Sequence, residues 1–249
     1  MKSHSIEGQT LLVTGAGKGL GKAFVESLLS RPREDLKALK LCLTSRTASD
    51  LEGLKTLAET KGVETLAIAS DIASNPTQAI TASLAKFGRI HSLIHCAGVG
   101  RFGDFLDLTP EDLQYTLSTN VEGTFLLLQK VYEHMKSQPP EDGLRGQIQV
   151  ITSVAAERPF PQSALYCMSK YAQRGLLEVM RGYGYQDAIR ILEVRSGAAL
   201  TPMWGEVAAE QKARMMQAED VATPMVQALF LPSRASIEII TIRPVHGDI

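Results

Sequence analysis

The chain has 249 residues, enough for one large domain or two small ones. Its 26 Lys+Arg against 27 Asp+Glu leave a net charge of −1, which argues against a nucleic-acid groove or a polybasic membrane patch, since both need a basic excess. The 44% apolar content is that of a packed globular core, and no run approaches the ~18 uncharged apolar residues of a membrane span. Residues 1–9 hold one lysine, no apolar run and no cleavage signal, so secretion is not expected. Cys42, Cys96 and Cys167 cannot all pair and form no CxxC, and His4, His91, His95, His134 and His246 show no metal spacing. A reduced, metal-free, cytoplasmic protein is expected. Cys167 reads either as a small core residue or as a reactive thiol.

Short β-branched runs alternate with longer amphipathic segments, the pattern of a parallel sheet with crossover helices. Strands are predicted at residues 9–14, 39–44, 63–69, 91–96, 147–152, 189–195 and 236–242. Helices are predicted at 20–30, 48–61, 76–87, 110–118, 121–136 and 163–183, and the Pro- and Gly-rich stretch 137–146 reads as a loop. No linker interrupts the alternation, so the expectation is α/β: a single-domain, Rossmann-like, doubly wound parallel sheet of seven strands over 1–249. Residues 198–231, between the sixth and seventh strands, read either as a lid over a ligand or as a packed helical cover.

The first strand runs into Thr14-Gly15-Ala16-Gly17-Lys18-Gly19-Leu20-Gly21, a glycine turn that opens a helix. Such a turn lets the backbone approach a pyrophosphate, whose charge then sits at the helix N-terminus. No Walker Lys-Ser/Thr pair follows, so an ATPase loop is not expected. After the second strand, where an acid would hold a ribose 2′-hydroxyl, the chain reads Thr44-Ser45-Arg46-Thr47. Arg46 and Ser45, with Lys18 nearby, suit a 2′-phosphate, which favours NADP(H) over NAD. Asp71, after the third strand, either accepts from the adenine amino group or caps the next turn.

Tyr166 and Lys170 stand four apart at the start of a predicted helix and project from one face. A free phenol, with a pKa of ~10, is a poor proton carrier near neutrality, and a nearby ammonium should bring it within range. Ser153, just past the fifth strand, is placed to bond a carbonyl oxygen.

On these motifs the chain resembles the short-chain dehydrogenase/reductase family over essentially its whole length. The family's cofactor loop matches Gly15, Gly19 and Gly21, and its Asn-Ser-Tyr-Lys tetrad matches Asn120, Ser153, Tyr166 and Lys170. The resemblance implies that Tyr166 donates the proton, Lys170 holds the nicotinamide ribose, Ser153 positions the carbonyl and Asn120 supports a relay water. It also implies cofactor contacts from Leu20, Ile72, Ala97, Gly98, Gly197 and Thr201. Segments 98–103, 166–170, 173–176 and 201–205, and the closing Arg243-Pro244 and Gly247-Asp248-Ile249, are most similar to bacterial sepiapterin reductases within the family. That implies NADPH-dependent reduction of a side-chain ketone on a pterin, or of a related α-dicarbonyl compound. A pterin is flat and aromatic, and Phe102, Phe105 and Trp204 fall where such a ring would lie, although Trp204 equally suits packing of the lid.

Two positions depart from the family pattern: His95-Cys96 replaces Asn-Asn before Ala97-Gly98, and Ser196-Gly197 replaces Pro-Gly. Two other functions share the sequence features. One is a 3-ketoacyl-thioester reductase, which would need basic residues near the lid, with Arg158, Lys212 and Arg214 as candidates. The other is a dinucleotide-binding sensor or scaffold without turnover. Family members assemble as homodimers or homotetramers through helices matching 121–136 and 163–183, where Phe125, Leu128 and Tyr132 serve either an interface or the sheet.

Overall fold

The strands are Thr10–Thr14 (β1), Lys40–Ser45 (β2), Glu64–Ala69 (β3), Ser92–His95 (β4), Gly146–Ile151 (β5), Ile189–Ser196 (β6) and Ile239–Ile242 (β7). They form one parallel sheet in the order β3-β2-β1-β4-β5-β6-β7. This is a computed structural model that describes residues 5–248; residues 1–4, His4 among them, and the closing Ile249 lie outside the described residues. The doubly wound, Rossmann-like architecture is the one the alternation predicts.

The inner strands carry near-continuous apolar runs because both faces are covered. Their side chains alternate between faces. Leu11 and Val13 of β1 join one core, with helices Gly19–Leu29 (α1), Ser49–Thr60 (α2) and Ala218–Leu229 (α8). Leu12 joins the other, with Gln78–Phe87 (α3), Thr124–Ser137 (α5) and Ala164–Asp187 (α6). The strand order reverses between β1 and β4, and open α/β sheets bind ligands in the crevice at the carboxyl end of such a switch point.

Three boundaries differ from the sequence expectation. α6 runs to Asp187, four residues past the predicted end, and closes with Ala188 in the left-handed region at φ 55°. β7 starts at Ile239, although Glu193 N–H already donates to the Glu238 carbonyl. The predicted break between the helices at 110–118 and 121–136 does not exist. Pro110–Leu117 (α4), entered through a Thr109/Asp112 capping box, passes into α5 through a π turn, Ser118–Gly123. Gly123 is required there, because a Cβ would stand 2.5 Å from the Ile72 carbonyl oxygen.

The 198–231 segment divides. α8 buries Val221, Ala222, Met225 and Val226 in the core against α1 and is a packed cover. Ala198, Ala199, Thr201 and the 3-10 turn Pro202–Trp204 line the crevice, and the short helix Ala209–Lys212 (α7) does not. No helix of the described residues is long and apolar enough to cross a membrane.

Candidate active site

A cavity of about 590 Å³ runs along the carboxyl end of the sheet, from the glycine turn after β1 to the start of α6. At its first end, Gly15 and Gly19 have φ +65° and +54°, left-handed values that glycine adopts freely. A Cβ at Gly15 would lie 2.7 Å from the Ala97 nitrogen, and one at Gly21 would lie 2.2 Å from the Gly15 oxygen. Gly21 therefore packs the turn and does not line the cavity, whereas Gly15, Lys18, Gly19 and Leu20 do. The first turn of α1 holds no acidic residue and its cap, Lys18, makes no side-chain cap bond, so no side chain of the helix start itself offsets its positive end. These residues fit the pyrophosphate of a dinucleotide.

Past β2 the cavity is lined by Ser45 and Arg46. The Ser45 hydroxyl donates to the Thr47 carbonyl at 2.9 Å and shapes the turn. Arg46 is exposed, and its Nη1 donates to the Tyr115 hydroxyl at 3.2 Å. Lys18 is less free than the sequence suggests: its Nζ lies 3.2 Å from Asp50, an acid in the first turn of α2 that also lines the cavity. Asp71 lines the wall with Ile72, and its Oδ1 accepts from Ala73 N–H at 2.9 Å, the cap of the next turn. Ala97, Gly98, Gly197 and Thr201 line the middle.

At the far end Ser153, Tyr166 and Lys170 share one stretch of wall. Ser153 ends up there because the chain leaves β5 into a 3-10 turn that the Ser153 side chain caps, accepting from Ala155 N–H at 3.1 Å. Its hydroxyl donates to the Ser196 carbonyl at 3.3 Å. Tyr166 and Lys170 stack one turn apart on α6, with Nζ 5.6 Å from the ring centroid. Lys170 is 4% exposed, and burial pulls its pKa down from that of a free lysine to about 8, against the pull of Cys96 and Glu193. Tyr166 departs from the expectation. Burial pushes its phenol above the ordinary value, and the Ser153 side chain only partly offsets this. With its pKa shifted up, the hydroxyl keeps its proton through the neutral range.

Asn120 is fully buried in the π turn and does not line the cavity. Its Oδ1 accepts from Val99 N–H at 2.9 Å, and its Nδ2 donates to the Val99 carbonyl and the Ser169 hydroxyl at 2.8 and 3.0 Å. It clamps the loop after β4, and its own carbonyl accepts from Gln173 Nε2 at 2.8 Å.

Phe102 and Trp204 line the mouth, and the Phe102 ring lies 5.3 Å from that of Tyr166. Phe105 does not: it is 76% exposed and outside the cavity, because the chain turns away after Gly103, whose N–H is held by the Gln162 carbonyl. Phe160, Met203 and Asp248 also line this end. Asp248 holds Arg158 at 3.3 Å and Arg243 through Oδ2, while its Oδ1 is buried without a partner. Sequence reading had only a resemblance in the closing residues to point to it.

The His95-Cys96 departure is accommodated. His95 Nδ1 meets the Thr14 hydroxyl at 2.7 Å and Nε2 meets that of Thr124 at 3.0 Å, joining β1, β4 and α5. The Cys96 thiol is pushed up to about 12 by burial. Cys167 is buried, with its Sγ 3.0 Å from the Ser163 hydroxyl.

The family model described as short chain dehydrogenase matches residues 9–212. The sepiapterin reductase of Chlorobaculum tepidum is 44% identical over 243 residues, covering 96% of this chain and 97% of that protein. Among solved structures, a short-chain dehydrogenase/reductase from Serratia marcescens superposes with a TM-score of 0.81 at 28% identity, covering 97% of this chain and 98% of that one. A 3-oxoacyl-[acyl-carrier protein] reductase from Brucella melitensis in complex with NAD gives 0.79 at 25%, covering 95% of each. With a catalytic-type wall of serine, tyrosine and lysine at the switch point and matches along nearly its full length, the chain belongs to the short-chain dehydrogenase/reductase family of oxidoreductases.

Proposed function

We propose that the protein is an NADPH-dependent carbonyl reductase of the sepiapterin reductase type, acting on a side-chain ketone of a pterin or a related α-dicarbonyl compound. The observation that carries this is the meeting of Ser153, Tyr166 and Lys170 at one end of a cavity whose other end is a glycine cradle. When bound, the dinucleotide supplies the hydride to the carbonyl carbon. The Ser153 hydroxyl orients the carbonyl oxygen, and Tyr166 passes its phenolic proton to that oxygen, giving the alcohol. The upward shift of the phenol suits a donor, which must reach the reaction still protonated. Lys170 turns its charge toward the cofactor side of the wall, beside Gly98. Arg46 is the cation for a 2′-phosphate, since Lys18 is already paired with Asp50.

Two features support a pterin-like ring: aromatic walls from Phe102, Phe160 and Trp204, and the Asp248 carboxylate beside them, an acceptor for a ring N–H. The thioester alternative loses a basic contact, because Arg158 is tied to Asp248 and lies over the Phe160 ring. Exposed Phe125 and Leu126 on α5 and Met168, Tyr171, Val179 and Tyr183 on α6 support a homodimer or homotetramer. Leu128 instead faces the sheet, and the Tyr132 hydroxyl donates to Asp187 within the chain.

The test is Tyr166→Phe assayed by NADPH oxidation with sepiapterin and with a simple diketone. Turnover should fall by about 10²–10⁴-fold while NADPH binding stays intact. Undiminished turnover sinks the reading.

A further inference from the structure

Gln173 lies one turn beyond Lys170 on α6 and is 2% exposed. Its Oε1 accepts from Lys170 Nζ at 2.9 Å, and its Nε2 donates to the Asn120 carbonyl at 2.8 Å and to Thr124 Oγ1 at 3.2 Å. The reverse amide orientation would set NH2 against NH3⁺ and leave the Asn120 carbonyl facing an acceptor, so the direction is fixed. Lys170 Nζ also donates to the Ile151 carbonyl at 3.2 Å. Two of its three hydrogens are thus committed, and one is left for the cavity that Lys170 lines.

The chain of contacts continues into the sheet. Ala97 N–H donates to the Thr14 hydroxyl at 3.4 Å, and that hydroxyl gives its hydrogen to His95 Nδ1. This puts the imidazole proton on Nε2, donating to Thr124, whose own hydrogen goes to the Thr119 carbonyl at 3.4 Å. Only this tautomer gives every hydrogen an acceptor. His95 is 1% exposed, and burial and the neighbouring Lys170 push its pKa down to about 3, so it stays neutral. Asn120, Thr124, Gln173 and Lys170 are all at most 4% exposed.

We propose that Gln173 is a positioning residue for the carbonyl reduction, tying the Lys170 ammonium to the Asn120 carbonyl of the π turn through its own amide, where the family resemblance implies a relay water. This rests on the reductase reading above. An amide accepts on one atom and donates on another, and it does not hand a proton through. The lysine is therefore braced by a direct side-chain bridge that sets its height against the Tyr166 ring. The groups facing Lys170 are Tyr166 on α6, His95 and Cys96 at the end of β4, and Glu193 on β6, the last held by Arg181 and Arg195.

The test compares Gln173→Leu and the nearly isosteric Gln173→Glu in the full chain, both checked for native melting. The titration of Lys170 is followed by carbon-13 NMR of the lysine ε-carbons, the resonance being identified by its loss in Lys170→Met. Leucine removes an acceptor from the ammonium, so the midpoint should fall by about one pH unit, and glutamate adds a charge and should raise it by about as much. The alkaline limb of NADPH-driven butane-2,3-dione reduction should move the same way in each variant. At neutral pH, kcat of Gln173→Leu should drop about tenfold with KM for the diketone unchanged. An unmoved lysine midpoint in a folded Gln173→Glu overturns the proposal, as does a moved midpoint with an unmoved kinetic limb. Retained turnover in Tyr166→Phe would instead overturn the reductase reading, and the lysine titration, which needs no turnover, would still decide whether Gln173 holds the ammonium.

Discussion

The wall around Lys170 and the mouth around Trp204 belong to one cavity but are built on different terms. At the wall, Lys170 is backed by Gln173, Asn120 and Thr124, which lie behind the cavity on helical elements locked to the sheet, and the side-chain polar atoms of all four have partners inside the protein. At the mouth, Phe102, Met203 and Trp204 are 53%, 44% and 39% exposed and sit on turns. A buried, fully bonded cluster has one arrangement, because any other leaves a polar atom bare. Exposed rings on turns carry no such penalty and can shift to meet a substrate. On the proposed reading, the wall fixes the reaction and the mouth selects what undergoes it.

Experiments can break that division, beginning with the Tyr166→Phe loss, the largest effect expected. Next is the pH profile of the wild-type enzyme. Burial depresses the lysine from its usual value to about 8, so the ammonium is present below that pH and lost above it. Tyr166 is shifted upward and His95 down to about 3, so neither titrates in between. The kcat/KM for reduction should hold through neutrality and fall about tenfold per pH unit above roughly 8. An acid limb near pH 6 would mean that another group at the wall controls the proton.

Arg46→Ala should raise KM for NADPH by about 10–100-fold and leave KM for NADH nearly unchanged, as expected for loss of a charge-assisted contact to the 2′-phosphate. Equal effects on the two dinucleotides would give the 2′ site to Lys18 despite its pairing with Asp50. Trp204→Ala is the mildest: KM for sepiapterin should rise about 3–10-fold, with less change for butane-2,3-dione, which has no ring to stack. A larger fall in kcat than rise in KM would show that the mouth reaches into the chemistry.

The same division explains what could be read from sequence. The alternation of strands and helices, the glycine turn and Ser153, Tyr166 and Lys170 were legible because spacing on regular elements translates directly into direction. The pairing of Lys18 was not legible because its partner, Asp50, lies in another element. Phe105 was misplaced because proximity along a loop says little about where a side chain goes. Gln173 lay inside a recognised segment, yet its role needs the Asn120 carbonyl, which only the folded π turn delivers. The phenol's upward shift was hidden for a similar reason: spacing reveals a neighbouring lysine but not how far the phenol is withdrawn from water.

The π turn also sets a limit on how this stretch of chain can change length. It winds wider than an α-helix, so it takes up a residue that regular winding would have to place elsewhere. Deleting one residue between Leu117 and Thr124 would let the helix close into regular winding while the turns on either side kept nearly their present directions, since the wide turn is what absorbs that residue. The Asn120 carbonyl would swing off Gln173 while the sheet stayed whole. Loops elsewhere tolerate trimming, but here a single lost codon would leave a folded protein with its lysine untethered.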